Sequence, residues 1–148
     1  MNIAYILLPK SQTAWLYDDC TFRQGLERMR RHGYTAIPVI RRDGQYAGTV
    51  SEGDFLWHLI PELGDQMKTI PLKTLENIPI SRILNPEAYP AVHITVSMEE
   101  MLQRAMQQNF IPVVDDTGIF IGIVTRNAII KYYAGSQKAA AVSAALLG

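Results

Sequence analysis

The chain has 148 residues, and its 14 Lys and Arg offset 14 Asp and Glu to a formal net charge of +0. Hydrophobic residues at 48% and charged residues at 19% are the proportions of a folded domain and exclude a disordered chain. The neutral balance argues against a nucleic-acid binder, which would need a basic face to neutralise phosphates. The apolar run Ile3 to Pro9 falls far short of the roughly 20 residues that span a bilayer, and no basic segment leads into a long apolar one, so neither a membrane span nor a signal peptide is expected. A cytoplasmic location is the simplest expectation. The lone cysteine, Cys20, has no disulfide or zinc-ligand companion, and Asp18 and Asp19 beside it disfavour a thiolate nucleophile.

An internal repeat organises the chain. Ile37-Pro38-Val39-Ile40 returns as Ile111-Pro112-Val113-Val114, an offset of 74 (111 − 37), and at that offset Gly44, Gly48 and Val50 match Gly118, Gly122 and Val124. Upstream, Ile3, Ile6, Leu7 and Pro9 match Ile80, Ile83, Leu84 and Pro86, small length changes between matched blocks being what loop edits produce. Two copies are expected, over residues 1–60 and 80–133, with a linker at 61–79 and an alanine-rich helical tail at 134–148.

In chain order, each copy predicts the same elements. A short strand over Ala14–Leu16 is answered by Ala91–Ile94. A helix follows, with Phe22, Leu26 and Met29 on one stripe; Thr21 and Gln24 open it as a capping box, as Ser97 and Glu100 open its counterpart. Gly33 ends the first of these helices after the basic turn Arg30-Arg31-His32. Strands over Ala36–Ile40 and Tyr46–Val50 flank the hairpin signal Arg42-Asp43-Gly44, repeated as Asp116-Thr117-Gly118. A last helix carries Phe55, Leu56, Leu59 and Ile60, matched by Ile129, Ile130 and Tyr133. The fold class is therefore α/β (α+β): two β-α-β-β-α units packed face to face around a pseudo-two-fold axis, because neither unit can bury its sheet face and helix stripes alone.

Three segments invite a functional reading beside an ordinary one. Ser51-Glu52-Gly53-Asp54 sits where a strand becomes a helix. It is a capping box, or a helix N-terminus facing an anion with a carboxylate placed for ribose hydroxyls, and the two are compatible. In the matched segment Thr125-Arg126-Asn127-Ala128 the acid is lost and a cation enters the first helical turn, where it is disfavoured by roughly 0.3–1 kcal/mol unless an anion binds there. Tyr34-Thr35-Ala36 is an ordinary connection, or a set of exposed amides beside an apolar wall fit for a flat heteroaromatic ring. His32, His58 and His93 lack metal-ligand spacing, and neither a glycine-rich phosphate loop nor a nucleophile elbow occurs, so no enzyme is expected.

The repeated unit, the stretch Gly33-Tyr34-Thr35-Ala36-Ile37-Pro38-Val39, the Asp-Gly hairpin and Gly48-Thr49-Val50-Ser51-x-x-Asp54 together resemble a tandem pair of CBS domains (a Bateman module) over about Ile3 to Tyr133. That resemblance implies a regulatory module without a required cofactor, whose inter-copy clefts bind an adenine nucleotide such as AMP, ATP or S-adenosylmethionine. It implies that Asp54 holds ribose hydroxyls and Ser51 caps its helix facing ribose or phosphate. Tyr34, Thr35, Ala36, Ile37 and Pro38 would form the adenine pocket, with Ala14 at its floor. The chain is also similar to small stand-alone pairs of Gram-positive bacteria that bind cyclic di-AMP, in which Thr125 and Arg126 would face phosphate. Asn127 stands where a second arginine can occur in that group, and Ala128 removes the acid from the second cleft. A homodimer is expected, because helix faces left after the copies pair need cover and closed two-fold assemblies are the commonest solution, acting on a partner enzyme or transporter without nucleic acid or membrane insertion; the other reading is a ligand-independent interaction scaffold.

Overall fold

The structure, a computed structural model, describes residues 3–63 and 76–135. Most of the expected linker and nearly all of the alanine-rich tail lie outside the described residues. The strands are β1 (Leu8–Pro9), β2 (Leu16–Tyr17), β3 (Ala36–Ile40), β4 (Tyr46–Ser51), β5 (Val92–His93), β6 (Phe110–Val114) and β7 (Phe120–Thr125). The helices are α1 (Phe22–His32), α2 (Glu52–Leu63), α3 (Met98–Ala105) and α4 (residues 126–135), with short 3-10 turns at Ile3–Tyr5, Lys10–Gln12 and Ile80–Arg82. Each copy thus contains the β-α-β-β-α unit its sequence predicts, and the first copy carries the extra strand β1 ahead of it. The first strand of each is shorter than expected and displaced toward the C-terminus in the first copy.

Local chemistry sets the ends of α1. Thr21 accepts the Gln24 N–H and the Gln24 side chain accepts the Thr21 N–H, closing the capping box. Gly33, at φ 67°, takes the left-handed conformation that stops the helix and turns the chain toward β3. Within α1, Gly25 leaves room for Ile80, whose Cδ1 would lie 2.7 Å from a Cβ there. In the second copy Ser97 accepts the Glu100 N–H, while Glu100 pairs with Arg104.

The sheets order as β2-β3-β4 and β1-β7-β6-β5. Strand β3 is buried along its whole length because each of its faces meets a different layer. Ile37 and Val39 turn toward α1 and α2 with Phe22, Met29 and Phe55, whereas Ala36 and Ile40 turn toward Phe110, Phe120 and Ile123 of the other copy. This explains why an apolar run without alternation marks the strand. Across the interface Tyr46 N–H donates to Gly118 O at 3.2 Å and Phe120 N–H to Gly44 O at 3.0 Å, a reciprocal pair related by the 74-residue offset.

The copies also exchange their leading segments. Strand β1 belongs to the first copy yet pairs with β7, Leu8 opposite Ile123 and Pro9 opposite Gly122, and Ile3 is fully buried in the second core. Reciprocally, Asn85 bridges Thr49, and Ile78, Ile80 and Ile83 complete the first core. Burying an isoleucine contributes roughly 1.5–3 kcal/mol, so each half holds a stabilising plug of the other. No helix among the described residues is long and apolar enough to cross a membrane.

Candidate functional site

A cavity of about 240 Å³ opens between the copies. Gly33, Tyr34, Thr35, Ala36 and Pro38 form one wall; Asn109, Phe110, Ile123 and Thr125 form the other, with Leu8 of the exchanged strand between them. The left-handed turn at Gly33 delivers Tyr34 and Thr35 to the opening, and Tyr34 N–H is held by Met29 O at 3.0 Å. Tyr34 stays half-buried and Thr35 exposed, so the wall offers a ring and a hydroxyl to an occupant.

Two helix N-termini flank this cavity. Glu52 N–H donates to Thr35 O at 3.0 Å and Arg126 N–H to Asn109 O at 2.8 Å, tying the starts of α2 and α4 to opposite walls in matching fashion. At α2, Asp54 accepts from the Ser51 N–H at 2.9 Å and the Ser51 hydroxyl at 3.1 Å, and Asp54 N–H meets Ser51 Oγ at 3.3 Å. The capping box therefore forms. It engages one carboxylate oxygen of the half-buried Asp54, and a carboxylate has further acceptor capacity for hydroxyl donors.

At α4, Thr125 both lines the cavity and accepts the Ala128 N–H at 3.1 Å. Arg126 Nε donates to Ala105 O at 2.7 Å and Nη1 to Asn109 Oδ1 at 2.8 Å. Its charge therefore meets a carbonyl at the C-terminal, negative end of α3, which accounts for a cation in the first turn of α4 without invoking a ligand. Asn127 is exposed.

The predicted residues thus divide. Tyr34, Thr35, Ala36, Pro38 and Thr125 line the cavity; Ser51, Asp54 and Arg126 sit in the first turns of the helices beside it. Ile37 is fully buried on the helix side of β3, because strand alternation turns it away from Ala36 and Pro38. Ala14 is buried in the same core. Sequence reasoning missed Leu8, Asn109, Phe110 and Ile123 as wall residues. Asn109 and Phe110 match Thr35 and Ala36 at the 74-residue offset, so the repeat itself was the signal: a cleft near a pseudo-two-fold axis takes both equivalents.

Elsewhere, burial, and secondarily Asp19, pushes the Cys20 thiol up to about 11, which suits a structural cysteine. Among the described residues no group of three His, Cys, Asp or Glu could hold a metal ion.

The family model for the CBS domain matches residues 8–60 and 80–135. Among solved structures, CbpB in complex with c-di-AMP superposes with a TM-score of 0.84 at 18% identity, covering 97% of this chain and 91% of that one. The CbpB protein of Listeria monocytogenes in complex with c-di-AMP gives 0.78 at 20% identity, covering 92% and 97%. CBSX2 in complex with AMP gives 0.73 at 20% identity, covering 92% and 98%. No curated protein matches the sequence significantly.

Proposed function

This chain belongs to the CBS domain family, and we propose that it is a regulatory, non-catalytic module that senses an adenine nucleotide in the cavity between its two copies. The observation that carries this reading is an apolar cleft walled by Gly33–Ala36 of one copy and Asn109–Phe110 of the other, with the starts of α2 and α4 hydrogen-bonded to those walls. Similar folds that hold c-di-AMP or AMP support the ligand class. About 240 Å³ is less than the roughly 300–1,000 Å³ of common ligand clefts, so the base enters and the sugar and phosphate extend along the mouth. Asp54 receives ribose hydroxyls, while Thr125 and the guanidinium N–H groups of Arg126 not held by Ala105 and Asn109 face phosphate. Because the cleft is walled by both copies, a ligand with differential affinity for two relative orientations shifts the population between them, and so modulates a partner enzyme or transporter.

The module acts as a homodimer. Leu56, Trp57, Leu102 and Ile130 on α2, α3 and α4, and Met106 at the C-cap of α3, lie 41–79% exposed, an apolar surface that a second copy would cover. The same faces favour the second reading, a scaffold indifferent to nucleotides.

Calorimetric titration of AMP, ATP and cyclic di-AMP into wild type, Asp54→Asn and Arg126→Ala separates the two. The sensor reading expects saturable heat with at least one nucleotide, weakened at least tenfold by Asp54→Asn. Absence of heat with all three, or unchanged binding in both variants, would refute the site and leave the scaffold.

A further inference from the structure

A second concavity, larger than the cleft at about 460 Å³, runs between α1 and the edge strand β2. We propose that it docks an acidic segment of a partner protein. The proposal stands on charge and shape and does not depend on what the inter-copy cleft binds.

Trp15 and Tyr17, edge to face at 4.9 Å, supply its apolar lining, and Arg28 and Arg31 of α1 line it beside them. The cations lie on these rings: Lys10 is 4.7 Å and Arg28 5.8 Å from the Trp15 centroid, and Arg42 is 3.9 Å from that of Tyr17. Arg42 is neutralised by a bidentate pair with Asp19 at 2.7 and 2.9 Å, and Glu27, the carboxylate of the groove, pairs with Arg23. Both arginines that line the groove, Arg28 and Arg31, stand outside the ion pairs of the described residues, as does Lys10 at its edge over Trp15. The groove thus carries two arginines free of ion pairs against one carboxylate that is already paired, in a chain whose net charge is +0.

Three features favour a polypeptide. Rings covered by cations present charge rather than bare stacking faces for nucleobases. Gln24, Arg28 and Arg31 lie on one stripe of α1 spanning ~10 Å, the length of about three extended residues rather than of a point anion. The second copy lacks the feature: at positions equivalent to Trp15, Arg31 and His32 stand Ala91, Gln107 and Gln108, and its Arg104 is engaged by Glu100. Duplication supplied the scaffold twice, and only one copy carries the basic groove.

The test uses a fluorescein-labelled peptide of Glu residues around a central Leu-Phe pair, and its Gln-for-Glu analogue, with fluorescence polarisation on the full chain. Saturable binding of the acidic peptide is expected, weakened at least tenfold by Arg28→Glu combined with Arg31→Glu and less than twofold by Arg30→Glu, an exposed cation of the same helix outside the groove. Circular dichroism checks that each variant folds. The indole resonance of Trp15, observed in a Trp57→Phe background, should shift on binding and reports locally even if the double variant is unfolded. No saturable binding, equal binding of the Gln analogue, equal loss in Arg30→Glu, an unmoved Trp15 resonance, or tighter binding of a labelled oligouridylate overturns the proposal.

Discussion

The exchanged leading segments make Gly122 and Gly48 the sharpest test of the packing. Gly122 faces Pro9 across the β1–β7 ladder at φ +157°, and an added Cβ would sit 2.2 Å from the Leu8 carbonyl oxygen and 3.0 Å from Pro9 Cα. Neither contact is a flexible side chain, so Gly122→Ala must lift β1 from the sheet. That displacement withdraws the fully buried Ile3 from the second core, costing ~1.5–3 kcal/mol, and the positive φ adds ~1–2 kcal/mol. A total of ~2.5–5 kcal/mol lowers Tm by roughly 5–20 °C in a chain of this size. At Gly48, φ +151°, the new Cβ would instead meet Leu84 Cδ1 and Cγ at 3.0 and 3.1 Å and Pro86 Cα at 3.1 Å. A leucine side chain can yield, so beyond the same positive-φ cost of ~1–2 kcal/mol Gly48→Ala adds only ~1 kcal/mol of crowding, ~2–3 kcal/mol in all. Gly135→Ala, with nothing within 4 Å of its Cβ, is the control. Urea unfolding followed by circular dichroism gives the energies, and hydrogen exchange over residues 3–9 reports whether β1 has detached. A Gly122→Ala protein within 1 kcal/mol of wild type, or more stable than Gly48→Ala, would refute the exchange as drawn.

Arg126→Ala forfeits two charged hydrogen bonds and should destabilise by ~1.5–3 kcal/mol, whereas exposed Asn127→Ala should stay within ~0.5 kcal/mol; equal thermal melts for both would show that Arg126 does not brace α3. Cys20, its thiol raised to about 11, should alkylate ten- to a hundredfold more slowly than free cysteine at pH 8, and a rate equal to free cysteine contradicts its burial. By linkage, a folded pKa raised above the unfolded one gives stability that is complete below pH 9 and declines toward 11. Cys20→Ser should flatten that alkaline fall in melts across the window. Thr21→Ala opens the reciprocal cap of α1 and should cost ~1 kcal/mol, or roughly 2–4 °C in a thermal melt; no change in Tm would mean the box is redundant.

The repeat made most of the architecture legible. The 74-residue offset predicts both hairpins, and the capping pairs at Thr21 and Ser97 predict where α1 and α3 begin. Strand β3 was readable because an apolar stretch bounded by Gly33 and the Asp43-Gly44 turn has few other solutions. The cleft was legible on one side only. Tyr34, Thr35 and Ala36 stand together in sequence, whereas Leu8, Asn109 and Phe110 reach them through the chain's long-range closure, which local pattern does not encode. Treating Ile37 as continuous with its neighbours overlooked the alternation that directs it into the core. Arg126 shows a different limit. Its cation breaks the helix-dipole preference of its own helix, and the relief comes from Ala105 O, the end of another helix whose proximity only the fold reveals.

The unit of folding is consequently not the unit of duplication. A copy cut free at the linker would leave its own hydrophobic interior uncapped while carrying the cap of an absent neighbour. Either half alone is an open vessel holding the other's lid. Severed fragments would regain order only in each other's company, and a disturbance entering at one interior has a covalent route to the far one through the strand that crosses over.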